Sequence, residues 1–491
     1  MHKKGQECRK CLIKCEYSET QSINTNATLP DMNSTSEQLR FPSIPGHTIR
    51  ADFDGGGLSS DLGPLLLRGV DRQIGLTKRL ANALVDSRHA SYVTHSHADL
   101  LAQRIYQIGC GYEDGNDSNS LRHDPMFKLS TGRLPFAADA ALASAATMSR
   151  FEHATSSKDI YRICKALVEQ FIASFASPPS RLILDLDHSE DAAHGQQPLA
   201  FYNHHYRSTC YLPLMIFDGQ SGAFVAAVLR PGKSPTGAEN AMIMRRVLTL
   251  IRRHFPHTHI LVRGDGHFGR PELMQMIAAM PNIDFIFGLP GNVKLQALAE
   301  KTKQRACDLW ASLQTQDVVP EAVRLYDEFL YAAGSWQRSW RVLLKAEVMA
   351  LGENPRFVVT SLDGLDAGML YEDVYCARGQ SENFIKHLKT DLASDRTSCT
   401  SFLANFMRLL LHAAAYILHQ QLRTQALRHT ALSQAQPSTV INKLFKIAVQ
   451  VRQTKQRIIL HLPSACAVKG LLRTVCERLF ISVPANIVNS S

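Results

Sequence analysis

Two stretches of the sequence decide the fold: LILDLD (residues 182–187) and ILVRGDG (residues 260–266). Each begins with a short apolar run and has an acidic residue at or near its end. Such runs are typical of buried strands, so Leu182–Leu186 and His259–Val262 are predicted to be strands. Asp187 and Asp265 then lie at the carboxyl ends of these two strands.

The segments around these strands predict further strands and helices. The predicted strands are Thr209–Phe217, Ala223–Leu229 and Ile283–Gly288, and the predicted helices are Glu239–Arg253 and Pro271–Ala279. The order is three meandering strands, a helix, a strand, a helix and a strand. This order is typical of the ribonuclease H-like fold, an α/β fold with a mixed sheet flanked by helices. In that fold the first and fourth strands are neighbours, so Asp187 and Asp265 are expected to lie close together.

The chain divides into several predicted parts. Pro178–Pro179 marks a boundary, because prolines interrupt helices and strands. We expect a mobile polar leader (1–46), a helical N-terminal domain (47–178), the first part of the core (179–290), a β-rich insertion (291–364), the second part of the core (365–430) and a basic C-terminal region (431–491). In the helical domain, Ser60 and Ser96 are predicted to cap helices.

Charge and composition narrow the function classes. The 491 residues include 54 Lys and Arg against 44 Asp and Glu, a net charge of +10, which favours polyanionic partners. The longest apolar run, Leu409–Leu418, is too short to span a bilayer, so no membrane segment is predicted. The 11 cysteines are an odd number, which favours reduced thiols over disulfides. Cys8, Cys11 and Cys15 lack an evident fourth zinc ligand.

Three acids are candidates for a metal site. Asp187 and Asp265 follow neighbouring strands, and Glu382 lies on a helix predicted after the insertion. Grouped carboxylates repel one another unless cations lie between them, and their hard oxygens suit Mg2+ or Mn2+. Two such ions can promote an in-line displacement at phosphorus. The alternative is three unrelated surface acids.

The helix that carries Glu382 has a charged face. Its members are three or four positions apart: Tyr375, Arg378, Glu382, Lys386 and Lys389. A carboxylate between cations suits a metal ligand beside a phosphate backbone, and the alternative is an ordinary salt-bridged surface. His188, His194, His204 and His205 cluster in sequence but lack the spacing of a known zinc motif.

The charged face matches a known signature. Tyr375-x2-Arg378-x3-Glu382-x6-Lys389 resembles the tyrosine–arginine–glutamate–lysine signature of DDE transposases from bacterial insertion sequences. LDLDHSEDAAHGQQPLAFYNHHY (184–206), YLPLMIFDG (211–219), LRPG (229–232), ILVRGDGHFGRPEL (260–273) and GQSENFIKHLKTDL (379–392) are similar to blocks of the thirteen-eighty group within this family. The N-terminal FDGGGLSSDLG (53–63) and RHDPMFKL (122–129) are similar as well.

The resemblance implies a ribonuclease H-like catalytic core with a β-rich insertion. It also implies a metal-dependent triad of Asp187, Asp265 and Glu382. Asp185 is the alternative first acid, because it projects from the same strand face two residues earlier. Asp187 is preferred because Asp187–His188–Ser189 resembles the family's D-x-T/S pattern.

The resemblance further implies roles in DNA contact. Tyr375, Arg378, Lys386 and Lys389 would bind DNA phosphates. Trp340 or Trp336 would stack on a flipped base, although a place in the core is the favoured alternative for both. The helical domain (47–178) would bind DNA ends, or it is a plain helical bundle.

The expected protein is a transposase that cleaves and transfers DNA strands at the terminal inverted repeats of its element. It would use two Mg2+ or Mn2+ ions and act on double-stranded DNA as a homodimer in a synaptic complex. It would work in the bacterial cytoplasm at the nucleoid. Two alternatives stay open: a ribonuclease H-like endonuclease or resolvase without strand transfer, and a catalytically inactive DNA-binding derivative.

Overall fold

The computed structural model describes residues 39–137, 139–315 and 321–480. The chain forms two compact units that divide between Gly56 and Gly57. In the first unit, strands β1 (Leu39–Ile44) and β2 (His47–Ala51) pair in an antiparallel hairpin. The C-terminal end of the predicted polar leader therefore contains strand β1, whose six residues are all exposed. Residues 1–38, with Cys8, Cys11 and Cys15, lie outside the described residues.

The second unit begins with strand β3 (Leu58–Ser59) and continues into helices. These helices are α1 (Gly63–Ile74), α2 (Leu76–Ala83), α3 (His97–Gly109), α4 (Asp117–Leu121), α5 (Pro125–Ser130), α6 (Ala145–His153) and α7 (Ser157–Ala173). A single 3-10 turn, Ala90–Tyr92, lies between α2 and α3. Ser96 caps α3 in a capping box with Asp99, as predicted. The cap predicted for Ser60 is wrong, because its hydroxyl donates to Asp61 and α1 begins without a side-chain cap.

A large mixed sheet follows. Its strands are β4 (Arg181–His188), β8 (Leu214–Asp218), β9 (Phe224–Val228), β10 (His259–Gly264), β11 (Ile283–Leu289), β12 (Ala322–Tyr331), β13 (Trp340–Met349), β14 (Gly352–Glu353) and β15 (Arg356–Thr360). Helices α8 (Gly237–His254), α9 (Pro271–Ala278) and α10 (Val293–Thr315) connect them. The fold is therefore a mixed α/β architecture.

The strand order in this sheet is β12-β13-β15-β11-β10-β4-β8-β9, with β14 paired to β13. Strand β10 is parallel to β4 on one side and to β11 on the other, whereas β8 and β9 run antiparallel. The carboxyl ends of β4 and β10 therefore meet at the same edge of the sheet.

The strands of the predicted insertion extend the same sheet. Strand β15 pairs antiparallel with β11 and with β13, and β13 pairs antiparallel with β12. The sequence predicts antiparallel strands in this region but does not show that they continue the core sheet. Hydrogen bonds between β11 and β15 join the core strands and the insertion strands into one sheet. Local sequence patterns do not show which distant strands will pair.

A predicted single strand over Thr209–Phe217 is wrong, since Pro213 divides it. The first part, β7 (Ser208–Tyr211), joins β5 (Asp191–Ala192) and β6 (Phe201–Asn203) in a separate small sheet. The second part is β8 of the large sheet. A third sheet consists of β3, β16 (Val449–Gln453) and β17 (Ile458–His461).

The C-terminal part is mainly helical. One continuous helical segment comprises α11 (Ala367–Met369), a wide π-type stretch (Leu370–Tyr375), a tight 3-10 stretch (Cys376–Gly379), α12 (Gln380–Lys386) and a second π-type stretch (His387–Asp391). It is followed by α13 (Phe402–Gln421), π-type turns at Leu422–Ala426 and Ile441–Phe445, α14 (Pro437–Val440) and α15 (Lys469–Phe480).

Helix α13 lies at the centre of one hydrophobic core. It shares that core with the N-terminal helices and with β8 and β9. Among the described residues, the segment Phe402–Ala426 is long and apolar enough to cross a bilayer, but 83% of its apolar window is buried in the protein. Burial of this kind is expected for the central helix of a folded core.

A buried ion network joins α13 to the N-terminal helices. Glu152 on α6 accepts a bond of 2.7 Å from Nε of Arg408 on α13, and its other oxygen lies 3.5 Å from Nε of Arg104 on α3. The carboxylate is almost fully buried. Removing one member of such a network leaves uncompensated charge in the core.

We predict that Glu152→Gln lowers the free energy of unfolding by about 3–5 kcal/mol, because two buried guanidinium groups lose their counter-ion. Urea denaturation followed by circular dichroism measures this. The matched control is Glu169→Gln, which breaks the exposed 3.3 Å pair with Lys165 and should cost under about 1 kcal/mol. Equal effects of both substitutions would contradict the assignment.

Candidate active site

Asp187 and Asp265 lie at neighbouring strand ends. Asp187 is the penultimate residue of β4, and Asp265 directly follows β10. The two strands are parallel and in register, with Gly264 opposite Leu186. Both carboxylates are partly covered, with 15% of the Asp187 side chain and 30% of the Asp265 side chain exposed.

Asp185 has a different environment. Its carboxylate receives two bonds from Arg263, the residue opposite it on β10: 2.6 Å from Nε and 2.7 Å from Nη2. The side chain is fully buried. Both oxygens are therefore occupied by an internal ion pair, and Asp185 as alternative first acid and metal ligand is not supported by this arrangement.

Two further contacts depend on the Arg263–Asp185 pair. Nη1 of Arg263 donates a bond of 2.7 Å to the carbonyl of Val374, on the helical segment that carries Glu382. Gly219 packs against the pair, and a Cβ at this position would come within 2.5 Å of both Arg263 Nη2 and Asp185 Oδ2. Glycine is therefore required at position 219, directly after β8, because a side chain there would clash with this ion pair.

His267 holds the second acid. Its amide donates to Asp265 Oδ1 at 2.9 Å, and its Nδ1 lies 3.1 Å from Oδ2. Burial disfavours the charge of Asp265, yet these bonds leave its pKa below the ordinary value. Asp265 is therefore an oriented, ionised carboxylate at neutral pH.

Arg378 lies between the first and third acids. Its Nη1 is 3.1 Å from Asp187 Oδ2, and its Nη2 is 3.8 Å from Glu382 Oε1. Glu382 is 68% exposed, so its side chain has room to turn. The helical segment thus brings a carboxylate and a guanidinium to the strand ends, as its three- and four-residue spacing predicts.

The three acids affect one another electrostatically. Burial raises the pKa of Asp187 to about 6, the Arg378 guanidinium opposes this rise, and the negative charges of Asp265 and Glu382 add to it. The site therefore carries more negative charge than Arg378 alone balances. Within the described ranges, no group of three His, Cys, Asp or Glu side chains has the closed geometry of a metal site. The hard oxygen donors and their repulsion still fit a divalent cation.

Tyr375 is close to the same strand ends. Burial raises its pKa, the Arg378 guanidinium opposes this, and the charge of Asp265 adds to it. Its hydroxyl lies beside Gly288 on β11, where a Cβ would come within 2.8 Å of it. Tyr375 is thus packed into the site and lies next to Asp265 rather than pointing to solvent.

The two lysines of the signature differ in environment. Lys386 is exposed, one turn after Glu382. Lys389 is partly buried, donates to the carbonyl of Glu190, and lies 3.8 Å from Oδ1 of the fully buried Asp191. The ammonium group of Lys389 is therefore engaged inside the protein, whereas that of Lys386 faces solvent.

Trp340 is a core residue. It is 6% exposed, packs edge-on against Phe285 at 5.0 Å, and is covered by the Arg338 guanidinium at 3.6 Å. No ring face is open to a DNA base in this arrangement, so the stacking role predicted for Trp340 is not supported. Trp336 packs edge-on against Tyr331 and is also part of the core boundary.

Sequence reasoning missed two residues that organise the site, Arg263 and His267. A signal for Arg263 exists, since an arginine inside an otherwise apolar strand needs a buried partner. The histidines of the 188–205 cluster do not form a metal site: His188 stacks on Phe268 at 4.8 Å, and burial lowers its pKa to about 3.

We predict opposite effects on stability for the two aspartates of β4. Asp185→Asn should lower the free energy of unfolding by about 3–5 kcal/mol, because Arg263 stays buried without a counter-ion. Asp187→Asn should raise it by roughly 1–3 kcal/mol at about pH 8 without divalent ions, because the folded-state pKa of Asp187 lies above its unfolded value. Urea titrations at several pH values measure both.

The pH dependence provides the control. The ionised form of Asp187 destabilises the fold above its folded-state pKa, and this penalty is absent below about pH 4, where the carboxyl is protonated. The gain from Asp187→Asn should therefore vanish in acid. A loss of stability at about pH 8 comparable to that of Asp185→Asn would contradict the two assignments.

Comparison with known proteins places the chain in a family. A family model described as "Transposase DDE domain group 1" matches residues 41–483. No curated protein matches the chain. The chain is similar to a solved structure, the cryo-electron microscopy structure of a piggyBac transposase synaptic complex with hairpin DNA, with 12% identity over 87% of each chain and a TM-score of 0.39. Because the family model spans most of the sequence, the chain belongs to the DDE transposases and is a DNA transposase.

Proposed function

We propose that this transposase binds the ends of an insertion sequence and that Asp187, Asp265 and Glu382 form its DDE triad. The observation that carries the proposal is the position of Arg378, which contacts both Asp187 and Glu382, while the charges of Asp265 and Glu382 both raise the pKa of Asp187. The strand order β9-β8-β4-β10-β11, with β4, β10 and β11 parallel, supports a ribonuclease H-like core.

The triad would hold Mg2+ or Mn2+, with two ions as the expected number. Bound ions supply the activation of a water or 3′-hydroxyl and the stabilisation of the leaving oxygen. Asp265 is oriented for a ligand role by its two bonds from His267. Glu382 is exposed enough to move, and Arg378 can exchange its carboxylate partners for a phosphate.

The side chains around the triad would position DNA. Lys386 faces solvent one turn from Glu382 and suits a backbone phosphate. Tyr375 and Arg378 would contact the phosphate beside the acids. Lys389 is engaged by Glu190 and Asp191, so a phosphate contact by this residue would require those bonds to break. Further phosphate contacts would come from the basic C-terminal region, of which residues 481–491 lie outside the described residues.

The finer identity rests on the sequence blocks. Their similarity supports a bacterial element of the thirteen-eighty group, and a cytoplasmic, nucleoid-associated location follows from that assignment. Double-stranded terminal inverted repeats and target DNA are the proposed partners, with two copies of the chain in a synaptic complex. The N-terminal helices, residues 63–173, are the proposed reader of the element ends.

We predict that Asp265→Asn and Glu382→Gln each lower the rate of end cleavage by at least about a thousandfold, because a triad acts as a unit. Labelled duplexes with the inverted repeats that flank the gene, incubated with Mg2+, measure cleavage on a gel. Electrophoretic mobility shifts should show that both variants still bind the duplex.

The matched control is Asp373→Asn, which removes an exposed carboxylate from the same helical segment and should cleave as the wild type does. Cleavage retained by the triad variants would reject the triad. If the wild type cuts the duplex but does not join the cut end to a plasmid, the protein is an endonuclease or resolvase. If it binds the duplex without cutting it, the protein is an inactive derivative.

We also predict different effects for the two lysines. Lys386→Ala should reduce the slope of log K against log salt by about 1, because one phosphate contact is lost. Lys389→Ala should instead lower the free energy of unfolding, because Asp191 stays buried without a partner. Fluorescence anisotropy at several salt concentrations and urea denaturation measure these effects. Lys301 is an exposed lysine on α10, and Lys301→Ala is the control that should change neither the salt slope nor the free energy of unfolding. An unchanged slope for Lys386→Ala would show that Lys386 is not part of the DNA interface.

A further inference from the structure

The small sheet of β5, β6 and β7 holds a rigid hairpin next to the acids. Strand β5 begins at Asp191, four residues after Asp187, and β7 pairs with both β5 and β6. In the turn, Asn203 Oδ1 accepts from the amides of His205 and Tyr206 at 2.9 and 3.4 Å. Its Nδ2 donates to the carbonyl of Gly232 at 3.0 Å, so one buried side chain sets the shape of the turn.

The LRPG stretch (229–232) holds this hairpin against the core. A Cβ at Gly232 would come within 2.1 Å of the Cys210 carbonyl oxygen and 2.7 Å of the Phe201 carbonyl oxygen. The backbone at Gly232 therefore touches both strands of the hairpin. This close approach explains why glycine is needed here and leaves the hairpin little freedom to shift.

The tip of the hairpin faces the second acid. The His205 ring lies 6.5 Å from the His267 ring, and Nδ1 of His267 is 3.1 Å from Asp265. The Tyr206 ring packs edge-on against His205 at 4.8 Å. Burial raises the pKa of Tyr206 to about 12, and the charges of Asp187 and Asp265 add to this rise. Its hydroxyl is therefore a hydrogen-bond donor at neutral pH.

The same small sheet is tied to the helical segment of the third acid. Lys389 donates to the carbonyl of Glu190, next to β5, and pairs with Asp191. The Ser208 hydroxyl on β7 donates to the Glu190 side chain. The hairpin and the segment that carries Glu382 are therefore linked by partly buried polar contacts through Glu190 and Asp191, which follow Asp187 in the chain.

We propose that His205 and Tyr206 form a third wall of the active site and hold the nucleotide next to the cleaved phosphodiester. Tyr206 donates a hydrogen bond to a phosphate oxygen, and the exposed His205 ring packs against the sugar or base of that nucleotide. A neutral hydroxyl suits this place, because it donates to a phosphate without competing with a cation for the carboxylates. The inference rests on the proposed function, since it assigns two substrate contacts to the same site.

Tyr206→Phe and His205→Gln test the inference. Single-turnover cleavage of the inverted-repeat duplex at saturating protein should slow at least tenfold in each variant. The dissociation constant for the duplex should change less than threefold, because most phosphate contacts remain. The Mg2+ concentration that gives half-maximal rate should stay within twofold of the wild-type value.

Tyr202→Phe and His204→Gln are the matched controls. These residues belong to the same hairpin turn region, are exposed, and pack on each other at 5.1 Å. Both variants should cleave at the wild-type rate. If the wild type cleaves and the Tyr206 and His205 variants cleave equally fast, the inference is overturned. Recovery of their rates at high Mg2+ would also overturn it, since the residues would then act on the metal site.

A second measurement does not depend on the variants' folding. A duplex with 5-iododeoxyuridine beside the mapped cleavage position is cross-linked to the wild-type protein by ultraviolet light. A cross-linked peptide that contains residues 201–211 supports the inference, and its absence overturns it. A wild type that binds the duplex but never cleaves would instead overturn the proposed function, and the inference with it.

Discussion

The paired hydrogen bonds between Arg263 and Asp185 are the constraint on which the geometry of the candidate active site depends. They join adjacent strands at facing positions, and the third guanidinium nitrogen binds the carbonyl of Val374. One buried side chain thereby sets the distance between the ends of β4 and β10 and the start of the helical segment that carries Arg378 and Glu382. A buried pair of this geometry is costly to break, so the three elements are held together before any substrate binds.

Charge balance explains the arrangement of the acids above this pair. Arg378 compensates part of the negative charge of Asp187 and Glu382, while His267 holds Asp265. A divalent cation would complete the compensation and would free Arg378 for a phosphate. The segment that carries Arg378 and Glu382 contains wide π-type turns at 370–375 and 387–391, and such turns often occur at functional sites because they re-aim side chains within a helix.

The rest of the second unit supports this edge of the sheet. Strands β12, β13 and β15 continue the sheet beyond β11, and helix α13 joins the N-terminal helices to β8 and β9 through a common core. The segment next to the small sheet of β5, β6 and β7 is bound to the Glu382 segment through Lys389. The elements around the candidate active site are thus hydrogen-bonded to one another, and such preorganisation reduces the ordering that binding of a ligand requires.

The amino-acid sequence by itself determined the positions of most core strands, the cap at Ser96 and the spacing of Arg378 and Glu382 on one helical segment, because these depend on patterns within a few residues. It also placed Asp187 and Asp265 at strand ends. Only the tertiary structure decided that Arg263 pairs with Asp185 and that Lys389 contacts Asp191 and Glu190. It also decided that Trp340 is buried in the core, and that β7 and β8, on either side of Pro213, belong to different sheets. These outcomes depend on strand register and on contacts between residues far apart in the chain, and local sequence patterns carry no information about which distant partner a buried polar group will find.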